Sequence, residues 1–450
     1  MRIGVFVAVI LILATGLLAT APAAAVDPPE VVVGVVPADL PPGPETPMKQ
    51  DKGCLAAGVL PHSDMTRTPP ADLALGLGRA RELSRGAGVK VAVIDTGVEP
   101  NRRLPNVVGG GDFVTAGGDG LSDCDAHGTL IAGIIAAAPD PQDPFVGVAP
   151  DAEIISIRLR SGAFSAERPP RDPAEQTAIE IRTLARAITH AANLGAGVIV
   201  VSIPICLPAG QQPDQSAVAD ALGYAVHVRG SLVVAGAGQA GSGCEQNPDI
   251  DPAAPRDPRN WRAVRTISTP GWYHSAVLTV GYTGATGSPA DNSLRGPWVS
   301  VAAPGVGIES LGPGDSGLVN GVGAPGNLVP VGGASFAAAY VAGVAALLRS
   351  RFPHETSGQI IARLRLTAHA SARGVDNAVG AGLIDPLGAL AYRSPPEPAA
   401  GTYQASRFVM PAAPKRRDPL PGVVASVVMG VAVLLGAAGI GARAMVRTRR

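Results

Sequence analysis

Short, largely apolar runs separated by polar or glycine-rich turns recur through the middle of this chain, at 89–94, 153–159, 197–203 and 231–236. Each is too short for an ordinary helix, and none keeps the strict polar alternation of a strand with one face in water. Such runs predict strands covered on both sides, as in a parallel sheet. Small apolar residues extend over helical lengths after His127 and after Ser335, the second through 341–348. Thr356-Ser357-Gly358-Gln359, ahead of Ile360 and Ile361, has capping-box spacing and predicts another helix start under the sheet. Strands alternating with helices predict an α/β fold, with a mostly parallel central sheet and helices on both faces.

The two ends carry a different pattern. Arg2, an apolar run over 3–18 and then Ala23-Ala24-Ala25 read as a secretory signal with an A-x-A cleavage site. That makes 1–25 a signal peptide and starts the mature chain near Val26; an uncleaved anchor is the alternative. Residues 422–442 hold no charge, a length that crosses a hydrocarbon core of about 30 Å. A buried core helix is the rival reading for that stretch. Arg443, Arg447, Arg449 and Arg450 follow it and mark 443–450 as a cytoplasmic tail, although Lys415, Arg416 and Arg417 dilute the bias. The signal peptide breaks the tie by sending everything before residue 420 across the membrane. Residues 394–421, rich in Pro, Ala and charge, read as an extended linker. The expected location is therefore a cell membrane, crossed once, with the body of the chain on the extracytoplasmic side.

Composition narrows the classes. With 36 Lys and Arg against 36 Asp and Glu, the formal net charge is zero, so nothing electrostatic argues for nucleic acid as a partner. The 450 residues allow one α/β domain of about 300 residues plus end segments.

Three stretches carry candidate chemistry: Val93-Ile94-Asp95-Thr96-Gly97, His127-Gly128-Thr129-Leu130-Ile131-Ala132-Gly133 and Gly333-Ala334-Ser335-Phe336-Ala337-Ala338. Asp, His, Ser is one of the chain orders in which unrelated folds assemble the same triad. Asp95 sits at a strand end, His127 opens a helix behind a polar Asp-Cys-Asp loop, and Ser335 opens another helix. A nucleophile there has free backbone N–H groups beside it to hold an oxyanion. Singly, Asp95 reads as well as a turn residue and His127 as a helix cap; together and in this order they read as one site.

Four cysteines, Cys54, Cys124, Cys206 and Cys244, fall in the exported part. In an oxidising compartment they suggest two disulfides, with three possible connectivities. Cys54–Cys124 and Cys206–Cys244 are favoured. The first would staple the N-terminal segment beside His127. The second would join the loops after two neighbouring strands. A metal site is the weaker rival, since no two cysteines have the close spacing of a zinc pair.

At these motifs the chain resembles the subtilase family, over about 85–390. Gly147-Val148-Ala149-Pro150, Val301-Ala302-Ala303-Pro304-Gly305 and Gly380-Ala381-Gly382-Leu383-Ile384-Asp385 extend the likeness. The N-terminal extension (26–84), the cysteines, the linker and the anchor around a peptidase domain (85–393) look like the mycosins, the membrane-anchored subtilases of actinobacterial type VII (ESX) secretion systems. The extension is short for a folded pro-domain and is Pro-rich, so it is expected to stay wrapped on the domain instead of being released as an inhibitor.

The resemblance implies a serine endopeptidase in which Asp95 orients His127, His127 takes the proton of Ser335, and Ser335 forms an acyl-enzyme. No metal site and no organic cofactor is expected; many subtilases carry structural calcium, but no ligand set can be assigned here. Ser202 and Ile203 resemble the edge on which subtilases lay an extended substrate. Departures weaken the site. The family's oxyanion asparagine is Gln239 here, Ala334 replaces a threonine that lines the same hole, and Ala339 replaces a proline. Pro204 has no N–H for a substrate strand. Slow, narrow proteolysis is expected, with Gln239→Asn plus Ala334→Thr raising turnover at least about tenfold.

The expected partners are a secreted protein substrate, the membrane and components of the type VII membrane complex. The competing reading is a largely non-catalytic component that stabilises that complex; a surface-housekeeping protease is a third. The loops at 160–176 and 241–262 read as insertions beside the cleft or docking elements. Trp261, Trp272 and Trp298 read as core or loop anchors.

Overall fold

A computed structural model describes residues 26–393, except 212, 242, 255, 315 and 373, together with 429–431 and 433. The chain forms two units, Met1–Pro398 and Ala399–Arg450. In the second, the described residues are helical. The expected signal peptide, linker and cytoplasmic tail, and most of the expected membrane helix, lie outside the described residues. No helix among the described residues is long and apolar enough to cross a membrane.

The strands are β1 (Met48–Gln50), β2 (Ala56–Gly58), β3 (Lys90–Asp95), β4 (Val107–Asp112), β5 (Glu153–Arg158), β6 (Phe164–Ala166), β7 (Val198–Val201), β8 (Ile205–Pro208), β9 (Leu232–Gly236), β10 (Thr266–Thr269), β11 (Val277–Thr283) and β12 (Val299–Pro304), with short pairs beyond. The helices are α1 (Pro70–Ala74), α2 (Leu77–Leu83), α3 (His127–Ala136), α4 (Pro173–Asn193), α5 (Ser216–Gly223), α6 (Ala334–Arg351), α7 (Ser357–Thr367) and α8 (Pro386–Ala391). Seven strands form the central sheet in the order β12-β11-β9-β7-β3-β5-β4, every pair parallel. The winding reverses beside β3: β4 and β5 follow on one side and β7 and its successors on the other. In such sheets the crevice for a ligand opens beyond the strand C-termini at that reversal. Asp95 is the last residue of β3.

Alternation along the strands feeds two cores. Val91, Val93, Val198 and Val200 face one way, into a cluster with Leu130 and Ile134 of α3 and Val341 and Val344 of α6. Ala92, Ile94, Ile199 and Val201 face the other way, against Ile181, Leu184 and Ile188 of α4 and Leu222 of α5. With both faces covered, strands without strict polar alternation are stable. Helix α6 is buried from Ala334 through Leu348. Its Gly343 is required: a Cβ there would meet the Val148 Cβ at 2.6 Å. At α7 the capping box forms, with Gln359 N–H donating to Thr356 Oγ1 at 3.3 Å and Thr356 N–H to Gln359 Oε1 at 2.8 Å.

One strand expectation needs correction. The run at 197–203 does not continue as a single strand. It ends at Val201, and after Pro204 the chain starts β8, which pairs antiparallel with β10 outside the central sheet. Cys206 thus lies in a strand, opposite Ser268, and not in a loop.

The segment before the sheet is laid over the domain in an extended path. Val32 N–H donates to Ala219 O of α5 at 3.3 Å, Asp39 bonds His190, and Glu45 pairs with Arg182 at 2.6 Å. Strand β1 then pairs antiparallel with β6, so the expected insertion at 160–176 is in part the seat of the extension. Disulfides join Cys54 to Cys124 and Cys206 to Cys244. Past Cys54, β2 pairs with the strand Gly321–Ala324.

Candidate active site

Asp95, His127 and Ser335 reach one point from three elements. Asp95 ends β3; His127 is the first residue of α3, entered through Ala126 in the left-handed region at φ 61°. That helix starts directly on the turn after β3. A Cβ on Gly128 would sit 2.0 Å from Gly97 O, so only glycine allows the approach. Ser335 is the second residue of α6, whose N-cap Gly333 has φ 139°.

His127 Nδ1 lies 2.8 Å and 2.9 Å from the two Asp95 carboxylate oxygens. Its Nε2 lies 2.9 Å from Ser335 Oγ. An ionised carboxylate only accepts, so the neutral ring carries its proton on Nδ1, and Nε2 is left to accept from the Ser335 hydroxyl. Phe336 packs against the ring at 5.1 Å between centroids. The imidazole is 26% exposed, while the Asp95 side chain is fully buried.

Burial alone would raise the Asp95 pKa. The charge of His127 and the hydrogen bonds from His127, Ser202 and Thr96 outweigh it and hold the carboxyl below 3.8. For His127, burial disfavours the cation, but the Asp95 charge and hydrogen bond prevail and raise it above 6.5. Each partner thus favours the charged form of the other.

Ser202 borders the cleft and has a second place as well. It is 2% exposed, and its hydroxyl donates to Asp95 Oδ2. Thr96 N–H donates to the other oxygen at 2.6 Å. Ser202 is therefore an orienting group for Asp95 as well as part of the cleft wall. Ile203 does line the cleft, a space of about 260 Å³ bounded also by His127, Pro204, Gln239, Ser335 and the Cys206–Cys244 bridge. Ile203 further borders a larger cavity of about 580 Å³ walled by the extension at Met48 and Lys49, by Phe164 and by Ile179 of α4.

Gln239 follows β9 and reaches the start of α6. Its Nε2 donates to Gly332 O at 3.3 Å. A Cβ on Gly333 would fall 1.8 Å from that nitrogen, so the amide needs a glycine there. The amide thus donates to a backbone carbonyl beside the cleft that Gln239 and Ser335 both line. The Ser335 N–H remains in the first turn, where no carbonyl of the preceding turn accepts it. Ala334 is 1% exposed and packs into the core beside the nucleophile.

Sequence reasoning passed over Asp123, which is 5% exposed and accepts hydrogen bonds from both Thr96 and Thr129. Burial pushes its pKa up to about 6, against those bonds, and the Asp95 charge adds to the rise. The only signal was its place four residues before His127.

Comparison with known proteins gives the family. Residues 86–382 match the subtilase family. Mycosin-1 of Mycobacterium tuberculosis is 46% identical over 440 residues, 96% of this chain and 98% of that protein. The crystal structure of MycP1 from Mycobacterium smegmatis is similar at a TM-score of 0.79 and 47% identity, over 82% of this chain and 96% of that one. A chain in the structure of an intact ESX-5 inner membrane complex is similar at a TM-score of 0.80 and 46% identity, over 92% of this chain and 99% of that one. This chain belongs to the subtilase family of serine endopeptidases and, within it, to the mycosins.

Proposed function

We propose that this chain hydrolyses peptide bonds through Asp95, His127 and Ser335. The observation that carries the reading is the single imidazole within 2.9 Å of both a buried carboxylate and the Ser335 hydroxyl. Nε2 takes the hydroxyl proton as Oγ attacks the peptide carbonyl. The imidazolium so formed is stabilised by Asp95 and returns the proton to the leaving amine. Water then attacks the acyl-enzyme by the reverse route. The tetrahedral oxyanion has the Ser335 N–H, but Gln239 is turned to Gly332, and loss of one such donor lowers turnover by about 10²–10³. Turnover is slow and the substrate range narrow.

The proposal includes the setting. The chain is exported by 1–25, keeps 26–84 on the peptidase domain at 85–393, and is held by the linker 394–421 and a membrane helix at 422–442, with 443–450 in the cytoplasm. It works on the extracytoplasmic side as part of a type VII secretion membrane complex, on a secreted protein. The similar chain within the ESX-5 inner membrane complex supports this setting. The same likeness, with the displaced Gln239, favours the second reading of a component that stabilises the complex without turnover.

A fluorophosphonate probe applied to the full-length chain in detergent, with Ser335→Ala as control, tests the first reading. Labelling that needs Ser335 supports an activated nucleophile. No labelling of folded protein overturns it in favour of the stabilising role. Secretion restored in a deletion strain by the Ser335→Ala chain would show that turnover is dispensable there.

A further inference from the structure

Asp123 stands where the loops carrying Asp95 and His127 cross. Its Oδ1 accepts from Thr96 Oγ1 at 2.8 Å and from Asp125 N–H at 3.1 Å. Its Oδ2 accepts from Thr129 N–H at 2.8 Å and Thr129 Oγ1 at 2.7 Å. Because the Thr96 hydroxyl gives its hydrogen to Asp123, its lone pair is free for Gly128 N–H at 2.9 Å. Thr96 also donates its own N–H to Asp95. One relay therefore runs from Asp123 through Thr96 to Asp95 on one branch and to the residue after His127 on the other. Only a carboxylate, accepting at every lone pair and donating nowhere, gives this relay its direction.

We infer that Asp123 is a positioning residue that locks the Asp95 turn to the first turn of α3 and so fixes the meeting of carboxylate and imidazole. The inference rests on the reading of Asp95, His127 and Ser335 as the reacting groups. An amide at 123 would point an N–H₂ at donors on one side and break the relay there. The charged groups acting around Asp123 are Asp95 at the end of β3, whose charge bears on it directly, Asp125 on its own loop, whose N–H it accepts, and His127 on α3, on which its own charge acts. The Asp123 charge adds to that of Asp95 in raising the His127 pKa, and Arg160 opposes both. Protonation of Asp123, which takes place near 6, removes that support.

The test is the His127 titration, followed by NMR on ring-¹³C histidine in the full-length chain and assigned with a His127→Ala sample. Asp123→Asn moves the His127 midpoint to lower pH and slows fluorophosphonate labelling about tenfold, the scale of a small misplacement in a site. Thr96→Val breaks the relay from its other end and slows labelling similarly, while Thr96→Ser restores it. A purely structural Asp123 would lower thermal stability without moving the midpoint. An unmoved midpoint with unchanged labelling in folded Asp123→Asn overturns the inference. If Asp123→Asn does not fold, Thr96→Val labelling at the unaltered rate does so. A chain that never labels refutes the active-protease reading alone, and the titration still decides the role of Asp123.

Discussion

Gln239 donates its side-chain amide to Gly332 O, 3.3 Å away, across the glycine that precedes the nucleophile helix. Shortening that side chain takes the donor out of reach of Gly332 O while leaving it at the cleft beside Ser335. Gln239→Asn is expected to raise the rate of Ser335 labelling at least about tenfold, part of what an oxyanion donor contributes. Adding Ala334→Thr gives no further gain, because residue 334 is 1% exposed and extra atoms there cost about 1–3 kcal/mol of stability. Labelling kinetics and thermal unfolding of the single and double variants check both statements.

Ser202→Ala removes one of the donors on Asp95 while leaving Thr96 N–H and His127 in place. A hydrogen bond to a charged group contributes about 1.5–3 kcal/mol. The variant is expected to label about tenfold more slowly and to unfold at a higher pH on acid titration, since the Asp95 pKa moves back up. Equal labelling and equal acid stability would contradict the orienting role.

The pH responses of activity and stability should separate. Labelling needs neutral His127, and its pKa is raised above 6.5, so the rate falls as pH drops through that raised value. The raised His127 contributes stability that is full below 6.5 and is lost as pH rises through the folded value. Asp123, at about 6 when folded against 3.8 ordinarily, also favours the folded state as pH falls from 6 toward 3.8. Asp95 acts in the opposite sense: its contribution is present above 3.8 and is lost as pH falls through its depressed folded value. Between pH 7 and 5, then, labelling declines while these groups make the fold no weaker. Labelling rates and thermal unfolding across that range test the separation.

Cys54→Ser with Cys124→Ser opens a loop of 70 residues in sequence separation. By loop-closure entropy that bridge is worth roughly 4 kcal/mol. Beyond the lower unfolding midpoint, the double variant should lose labelling at temperatures where it is still folded. Cys124 stands between Asp123 and Asp125, and its carbonyl accepts from Leu55 N–H at 2.8 Å. Limited proteolysis within 26–84 would show the extension detaching before the domain unfolds.

The positions of the strands were legible because both faces of the sheet are covered, which leaves apolar runs that composition reveals. The starts of α3, α6 and α7 were legible for a similar local reason: each is set by residues adjacent in sequence. Where the reading went wrong, the cause was long-range. The run at 197–203 is apolar throughout, yet Ser202 is drawn to Asp95 and Pro204 follows, so pairing moves to β10. Ala334 was read only against the family's threonine, and its burial in the core beside the nucleophile comes from packing that sequence does not display. Asp123 was missed since its meaning comes from Thr96 and Thr129, on different segments, converging on one carboxylate.

The pairing of Gly58 with Gly321 has a consequence in time. Residues 48–58 are made early, but β1 has no partner until 164–166 appears and β2 none until 321–323. Non-local pairings of this kind pay chain-closure entropy before any contact rewards them, and they form late. Until then, two short edges stand open while the sheet assembles beside them. A segment made early is thus among the last to find its place, and a chain still being made presents these strands unpaired.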